Sequence, residues 1–227
     1  VYDLLNKIEH VVCERGFLPT GKRPGSDRIT TIESGTPISA FDVIAFSVSF
    51  ENDFPNLLTI LEKAGLPLRS SNREIPHPLI IAGGVAFFLN PEPVAPFVDC
   101  FLIGEAEAIV PRFFDTDLPD LLNQDRIACL KTLARNVPGT YVPEFYTSTY
   151  HSDGTFASFE PKCDVPVKIE RPFLNDLSRT PTCSAILTPD TTFDRTFLIE
   201  VGRGCAHGCR FCSTGFVYRP PRFRPFS

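Results

Sequence analysis

The chain contains no methionine, so Val1 is not a translation start. The sequence reads as an internal or N-terminal piece of a longer protein. It has no excess of positive charge: 22 Lys and Arg stand against 27 Asp and Glu, for a net charge of −5. That balance argues against general nucleic-acid binding. No apolar run approaches the roughly 20 residues of a membrane helix, and no signal-peptide pattern is present. The expected setting is therefore cytoplasmic, with no membrane partner. Cysteine pairs at disulfide-like spacing are also missing. Of eight cysteines, Cys13, Cys100, Cys129, Cys163 and Cys183 are scattered, as expected of thiols in a reducing compartment. The four histidines, His10, His77, His151 and His207, show neither ligand nor catalytic spacing.

What is present is ordinary globular composition, 43% hydrophobic and 22% charged over 227 residues. That length allows one large domain or two small ones. Leu4, Leu5 and Ile8 predict a short helix over residues 2–8, and Val11-Val12-Cys13 a short strand. Residues 19–27 are loop chemistry, and Lys22, Arg23 and Arg28 there read as solvated cations. Continuous apolar runs at 41–49, 79–82 and 99–103 predict parallel strands buried on both faces. Between them, Asp53 and Pro55 open a helix that Gly65 and Pro67 end. Further helices are predicted over 107–114 and, as one continuous element, 118–134. This alternation is the pattern of a parallel α/β sheet.

Ligands of such sheets bind beyond the carboxyl ends of the strands, near a switch point in strand order. Three strand ends are marked by small or polar residues: Ser47 and Ser49, Gly83-Gly84, and Gly104-Glu105. Glycine permits close backbone approach and hydroxyls can donate, so these six residues are candidates for a ligand crevice. The competing reading of the glycines is tight turns. From residue 137 the character changes to a β-prone extension with a hairpin turn at Ser152-Asp153-Gly154-Thr155, then a linker rich in Thr, Pro, Asp and Ser. The expected divisions are 1–136, 137–194 and 195–227.

The strongest local signal comes last. The strand-like run 196–201 leads into Arg203-Gly204-Cys205-Ala206-His207-Gly208-Cys209-Arg210-Phe211-Cys212, with cysteines spaced C-x3-C-x2-C. Thiolates are ligands for iron–sulfur clusters and for structural zinc. Structural zinc commonly takes two separated Cys/His pairs, and no second cluster follows. His207, two residues from each neighbouring cysteine, would need an awkward backbone to complete the set. An electron-transfer ferredoxin would need a fourth nearby cysteine. Three thiolates on a four-iron cubane would leave one iron without a protein ligand.

This loop, with Phe211 just before its last cysteine, resembles the cluster loop of the radical S-adenosylmethionine (radical SAM) superfamily. The stretches 200–205 and 215–222 are similar to those of a subgroup of uncharacterised Fe–S oxidoreductases. In that subgroup a cobalamin-binding-like domain comes first. Residues 45–49, 81–84, 90–93 and 103–107 resemble parts of that domain. The resemblance implies that Cys205, Cys209 and Cys212 hold a four-iron four-sulfur (4Fe-4S) cluster, and that Phe211 lies beside S-adenosylmethionine. The cluster, fed by a cellular reductant, would cleave that cofactor to a 5′-deoxyadenosyl radical acting on an unknown substrate. The implied fold is α/β: a flavodoxin-like, cobalamin-binding-type parallel sheet with helices on both faces, then a small β hairpin. After these come the first strand and cluster loop of a TIM-like barrel.

Cobalamin is the cofactor implied for the crevice of Ser47, Ser49, Gly83, Gly84, Gly104 and Glu105. The histidine of its D-x-H-x-x-G fingerprint has no counterpart in Cys13-Glu14-Arg15-Gly16-Phe17. About thirty residues of a barrel that takes about 200 or more are present, so turnover by this chain alone is not expected. A non-enzymatic binding module with a structural zinc or a non-radical iron–sulfur centre is the alternative. Arg219, Arg222 and Arg224 read either as a solvated set or as contacts to substrate or to the cofactor carboxylate.

Overall fold

In a computed structural model, residues 1–19, 28–189 and 194–225 are described. Lys22, Arg23 and part of the expected linker lie outside the described residues. The chain forms two compact units, Val1–Pro172 and Phe173–Ser227.

The first unit is mixed α/β. Its elements run α1 (Tyr2–Leu5), β1 (Val43–Ser47), α2 (Phe54–Lys63), β2 (Leu79–Gly83), α3 (Val85–Leu89), β3 (Cys100–Leu102), α4 (Ala106–Phe114), α5 (Leu118–Leu122), α6 (Arg126–Asn136), β4 (Thr140–Tyr141), β5 (Tyr146–Tyr150) and β6 (Phe156–Pro161). One sheet has the order β1-β2-β3-β4. Val43 to Ser47 pair in parallel with Leu79 to Gly83, and Ile81 to Gly83 pair in parallel with Cys100 to Leu102. β4 joins antiparallel, Phe101 opposite Tyr141. The sheet thus continues past residue 136 into what reads as an extension. Its strand order follows chain order, so the described strands present no reversal and no switch point.

Burial follows position. β2 and β3 are covered on both faces, as their continuous apolar runs predict. β1, at the sheet edge, exposes Ala45 and Ser47. A cavity of about 710 Å³ runs along it, bounded by Tyr2, Leu5, Leu57 and Ile60 among others. The rings of Phe54, Phe87, Phe101 and Tyr141 form a continuous row, stacked at its two ends and tilted in the middle, with centroids 5.4, 5.0 and 5.9 Å apart. Each fully buried ring contributes roughly 1.5–3 kcal/mol.

Local chemistry sets the ends. α2 has Pro55 in its first turn, and Gly65 ends it at φ +71°. The expected single helix over 118–134 is two, because the Asp125 carboxylate accepts from the Ala128 N–H at 3.0 Å and caps a new start. No strand forms at 11–13. Instead, the Asn6 amide bonds both the N–H and the C=O of Cys13. The hairpin of β5 and β6 turns where expected, with Gly154 at φ +82° and Asp153 accepting from the Thr155 N–H.

Two cysteines are core residues. Burial pushes the Cys129 thiol up to about 11 and the Cys100 thiol well above its ordinary range. A thiol kept neutral by the fold stabilises it fully below the unfolded-state value of 9.0, and that contribution fades as pH rises through about 11. Stability measured by urea unfolding is therefore expected to decline between pH 9 and 11. At pH 8, alkylation of the native chain should reach exposed Cys209 and spare Cys100 and Cys129.

Candidate functional site

The second unit carries β7 (Gly202–Arg203), α7 (Thr214–Val217) and β8 (Arg222–Phe223), with β7 antiparallel to β8. The run 196–201 does not form the parallel strand expected. It makes one antiparallel bridge, Cys183 to Ile199, beside hydrogen bonds from Ser184 and Glu200 to the opposite segment. Phe197, Leu198, Ile199 and Val201 are exposed. A barrel strand pairs along both sides; among the described residues this run has that one bridge and, at its end, a single bond to the Val201 carbonyl from the Arg224 N–H.

The cysteine loop is the excursion between β7 and β8. Its base is closed by glycines. A Cβ on Gly204, at φ +85°, would sit 2.1 Å from the Tyr218 carbonyl oxygen, and one on Gly215 would sit 2.8 Å from the His207 carbonyl oxygen. The residues after the loop are therefore folded directly against those that begin it. Cys205 and Cys212 are half-buried, Cys209 is exposed, and no disulfide forms among the described cysteines. The Cys212 N–H donates to the Cys209 carbonyl at 3.2 Å, a tight turn that brings these two residues near each other. Phe211, expected beside a bound cofactor, is 91% exposed.

As a donor set, three thiols on one accessible loop fit an iron–sulfur cluster. The loop does not gather them: among the described residues, no three His, Cys, Asp or Glu side chains are grouped closely enough to hold a metal ion.

The arginines expected to be solvated or to hold a ligand divide. Arg222 is buried, donates to the carbonyls of Leu174 at 2.5 Å and Pro220 at 3.1 Å, and lies 5.0 Å over the Phe173 ring. Arg224 is bound to Glu200 at 2.6 Å. Arg219 lies 4.8 Å over Phe216 and faces solvent. Glu200 is the residue that sequence reasoning left without a role. Burial works against its carboxylate, but the hydrogen bonds and charges of Arg203 and Arg224 outweigh burial and hold its pKa below the ordinary value. A lone acid among five arginines in 200–227 was the available signal.

The crevice candidates lie in the first unit, at the carboxyl ends of three adjacent parallel strands. Ser47 is paired with Gly83 in register, and Gly104-Glu105 follow β3. Ser47 lines the cavity along β1, and Ser49 is exposed. The space beside the glycines is filled by protein. A Cβ on Gly84 would sit 2.2 Å from the Val48 carbonyl oxygen, and one on Gly104 would sit 2.6 Å from that of Pro172. Glu105 is buried, and its N–H donates to the same Pro172 oxygen at 2.9 Å. These close approaches pack backbone on backbone, and they do not fit a cradle for cobalamin.

Residues 1–143 match the family model described as "Radical SAM proteins, N-terminal". The chain belongs to this radical SAM family. Membership rests on the sheet-bearing part of the chain; the cysteine loop lies beyond the matched residues. An uncharacterized protein of Methanocaldococcus jannaschii is 28% identical over 193 residues, covering 85% of this chain and 34% of that protein. The chain thus spans about a third of the length of the curated relative it matches. No solved structure matches it significantly. No helix among the described residues of this radical SAM protein is long and apolar enough to cross a membrane.

Proposed function

We propose that Cys205, Cys209 and Cys212 are the protein ligands of a 4Fe-4S cluster. The longer protein would then be a radical SAM enzyme of oxidoreductase or transferase type, acting on a substrate still to be identified. The observation that carries this reading is the C-x3-C-x2-C loop, closed at its base by β7 and β8, in a chain of the radical SAM family. When bound, such a cluster supplies the electron that cleaves S-adenosylmethionine to a 5′-deoxyadenosyl radical. The chain's own contribution is to hold three thiols on a short loop with fixed ends. Exposed Cys209 and Phe211 leave the loop accessible to cofactor and to a cellular reductant. In this reading the second unit opens the cluster-bearing domain, and the sheet of the first unit precedes it as an accessory domain.

The test is anaerobic reconstitution with ferrous iron and sulfide. The chain should gain a visible cluster absorption band and bound iron, both lost in Cys209→Ala. Stoichiometric zinc with no iron would sink the proposal. Reductive cleavage of S-adenosylmethionine should be assayed in the full-length protein.

A further inference from the structure

We propose that Glu200, Arg203 and Arg224 form a clamp that fixes both ends of the cysteine loop, the frame from which its thiols would close on an inorganic cluster. The inference rests on the cluster reading above. Glu200 precedes β7, Arg203 is its last residue, and Arg224 follows β8. Arg203 Nε donates to Glu200 Oε1 at 2.6 Å and its Nη2 to Oε2 at 3.1 Å. Arg224 Nη2 donates to the same Oε2 at 2.6 Å. One carboxylate therefore joins the chain entering the loop to the chain leaving it.

Further hydrogen bonds tie the clamp to the segment before it. The Arg224 N–H donates to Val201 O at 3.0 Å, its Nη2 to Thr182 Oγ1 at 3.0 Å, and its Nη1 to Leu177 O. The Glu200 N–H donates to Thr182 O at 2.9 Å. The side chains of Arg203, Arg224 and Glu200 are 10, 13 and 24% exposed. They escape much of the solvent screening that leaves surface pairs worth little.

The backbone alone is a weak fastener, since the β7–β8 ladder has two residue pairs. The two-point hold of Arg203 on Glu200 adds a fixed angle as well as energy. Arg203 stands two residues before Cys205, and Gly204 between them, at φ +85°, is packed against the backbone of Tyr218 and Pro221, so the clamped end continues into the first ligand through a fixed link. Glu200 is also the one acidic residue from 200 to 227 in the sequence. These are positioning residues, acting on the cysteines through the loop ends.

The test compares iron bound by the 227-residue chain, and its release to a chelator, after anaerobic reconstitution. Loss of the clamp should speed release roughly 10-fold in Glu200→Gln, the low end of what changes around the ligands do to metal affinity, with a corresponding fall in bound iron. Glu200→Asp, which keeps the charge, should recover most of the retention. Arg203→Lys, which keeps the charge and loses the fork, should fall between. The thermal midpoint of the first unit should not move in any of them. Wild-type iron content and release in Glu200→Gln would overturn the clamp and leave the cluster reading standing. Equal losses in Glu200→Gln and Glu200→Asp would also overturn it, as general sensitivity of the site. If Glu200→Gln does not fold, wild-type retention in Arg203→Lys overturns the clamp. A wild-type chain that binds no iron overturns both readings.

Discussion

Replacing Asp99 with alanine should destabilise the first unit by about 3–5 kcal/mol, the range for breaking a buried ion pair from one side. Asp99 immediately precedes β3, with its side chain 1% exposed. Its Oδ2 accepts from the Ile80 N–H at 2.6 Å and from Arg126 Nη2 at 2.6 Å, with Arg73 Nη1 at 3.3 Å. The Arg73 side chain is wholly buried and donates to the carbonyls of Pro67, Leu68 and Phe97. Arg126 donates to those of His77 and Pro78. This one carboxylate thus offsets two guanidiniums that tie three loops to the ends of β2 and β3. Burial, then the neighbouring Arg126 charge, pulls the Arg73 pKa down, and Asp99 counters both. Removing Asp99 strands two cations and an unpaired strand N–H in the interior. Such a loss is a large share of the roughly 5–15 kcal/mol that holds a domain.

Urea unfolding followed by circular dichroism is the measurement. The physical cause can be separated from lost packing. Adding Arg73→Met to Asp99→Ala removes one stranded charge, and should restore part of the stability rather than lower it further. A loss under about 1 kcal/mol in Asp99→Ala would show that water already compensates these charges.

The second large effect is expected at Gly204→Ala. Its φ of +85° is left-handed backbone, and the added methyl would meet the Tyr218 carbonyl oxygen at 2.1 Å and Pro221 Cα at 3.1 Å. Both obstacles are backbone, so no side chain can rotate away. Strain of this kind costs about 1–3 kcal/mol for the dihedral alone, and the clash adds to it. The β7–β8 pairing should open, exposing 204–222 to limited proteolysis and abolishing iron retention, while the first unit melts as in the wild type. Gly208→Ala is the control within the loop. A Cβ there meets nothing nearer than Arg219 Nη2 at 3.6 Å, so proteolysis should not change. Equal protease sensitivity in the two variants would remove the argument.

The sheet was legible because its strands are continuous apolar runs between turn residues, a signal carried by each segment alone. Gly65, Asp153 and Gly154 announced their turns for the same reason. What could not be read depends on partners far along the chain. The edge position of β1, and hence exposed Ala45 and Ser47, follows from strand order and not from its residues. β4 is two residues long, too short for any periodicity. Gly84 and Gly104 look alike whether a ligand or Val48 and Pro172 fill the space beside them. At the loop, the three cysteines were visible by spacing. The clamp was not, because Glu200 and Arg224 meet through a pairing that closes only after the loop has folded back.

The strand order also bears on how the first unit acquires its structure. Each strand of the four-stranded sheet hydrogen-bonds to the strand before it in the chain. Assembly can proceed by adding one strand at a time to a growing edge, and each addition closes a loop no longer than one connection. No strand has to wait for a distant segment to be inserted beside it. The partners, Val43 with Leu79, Ile81 with Cys100 and Phe101 with Tyr141, are still well separated in sequence, so each addition carries a loop-closure cost before its pairing returns it. A sheet built in this order can form as the polypeptide emerges during synthesis, from β1 towards β4, before the cysteine loop has been made.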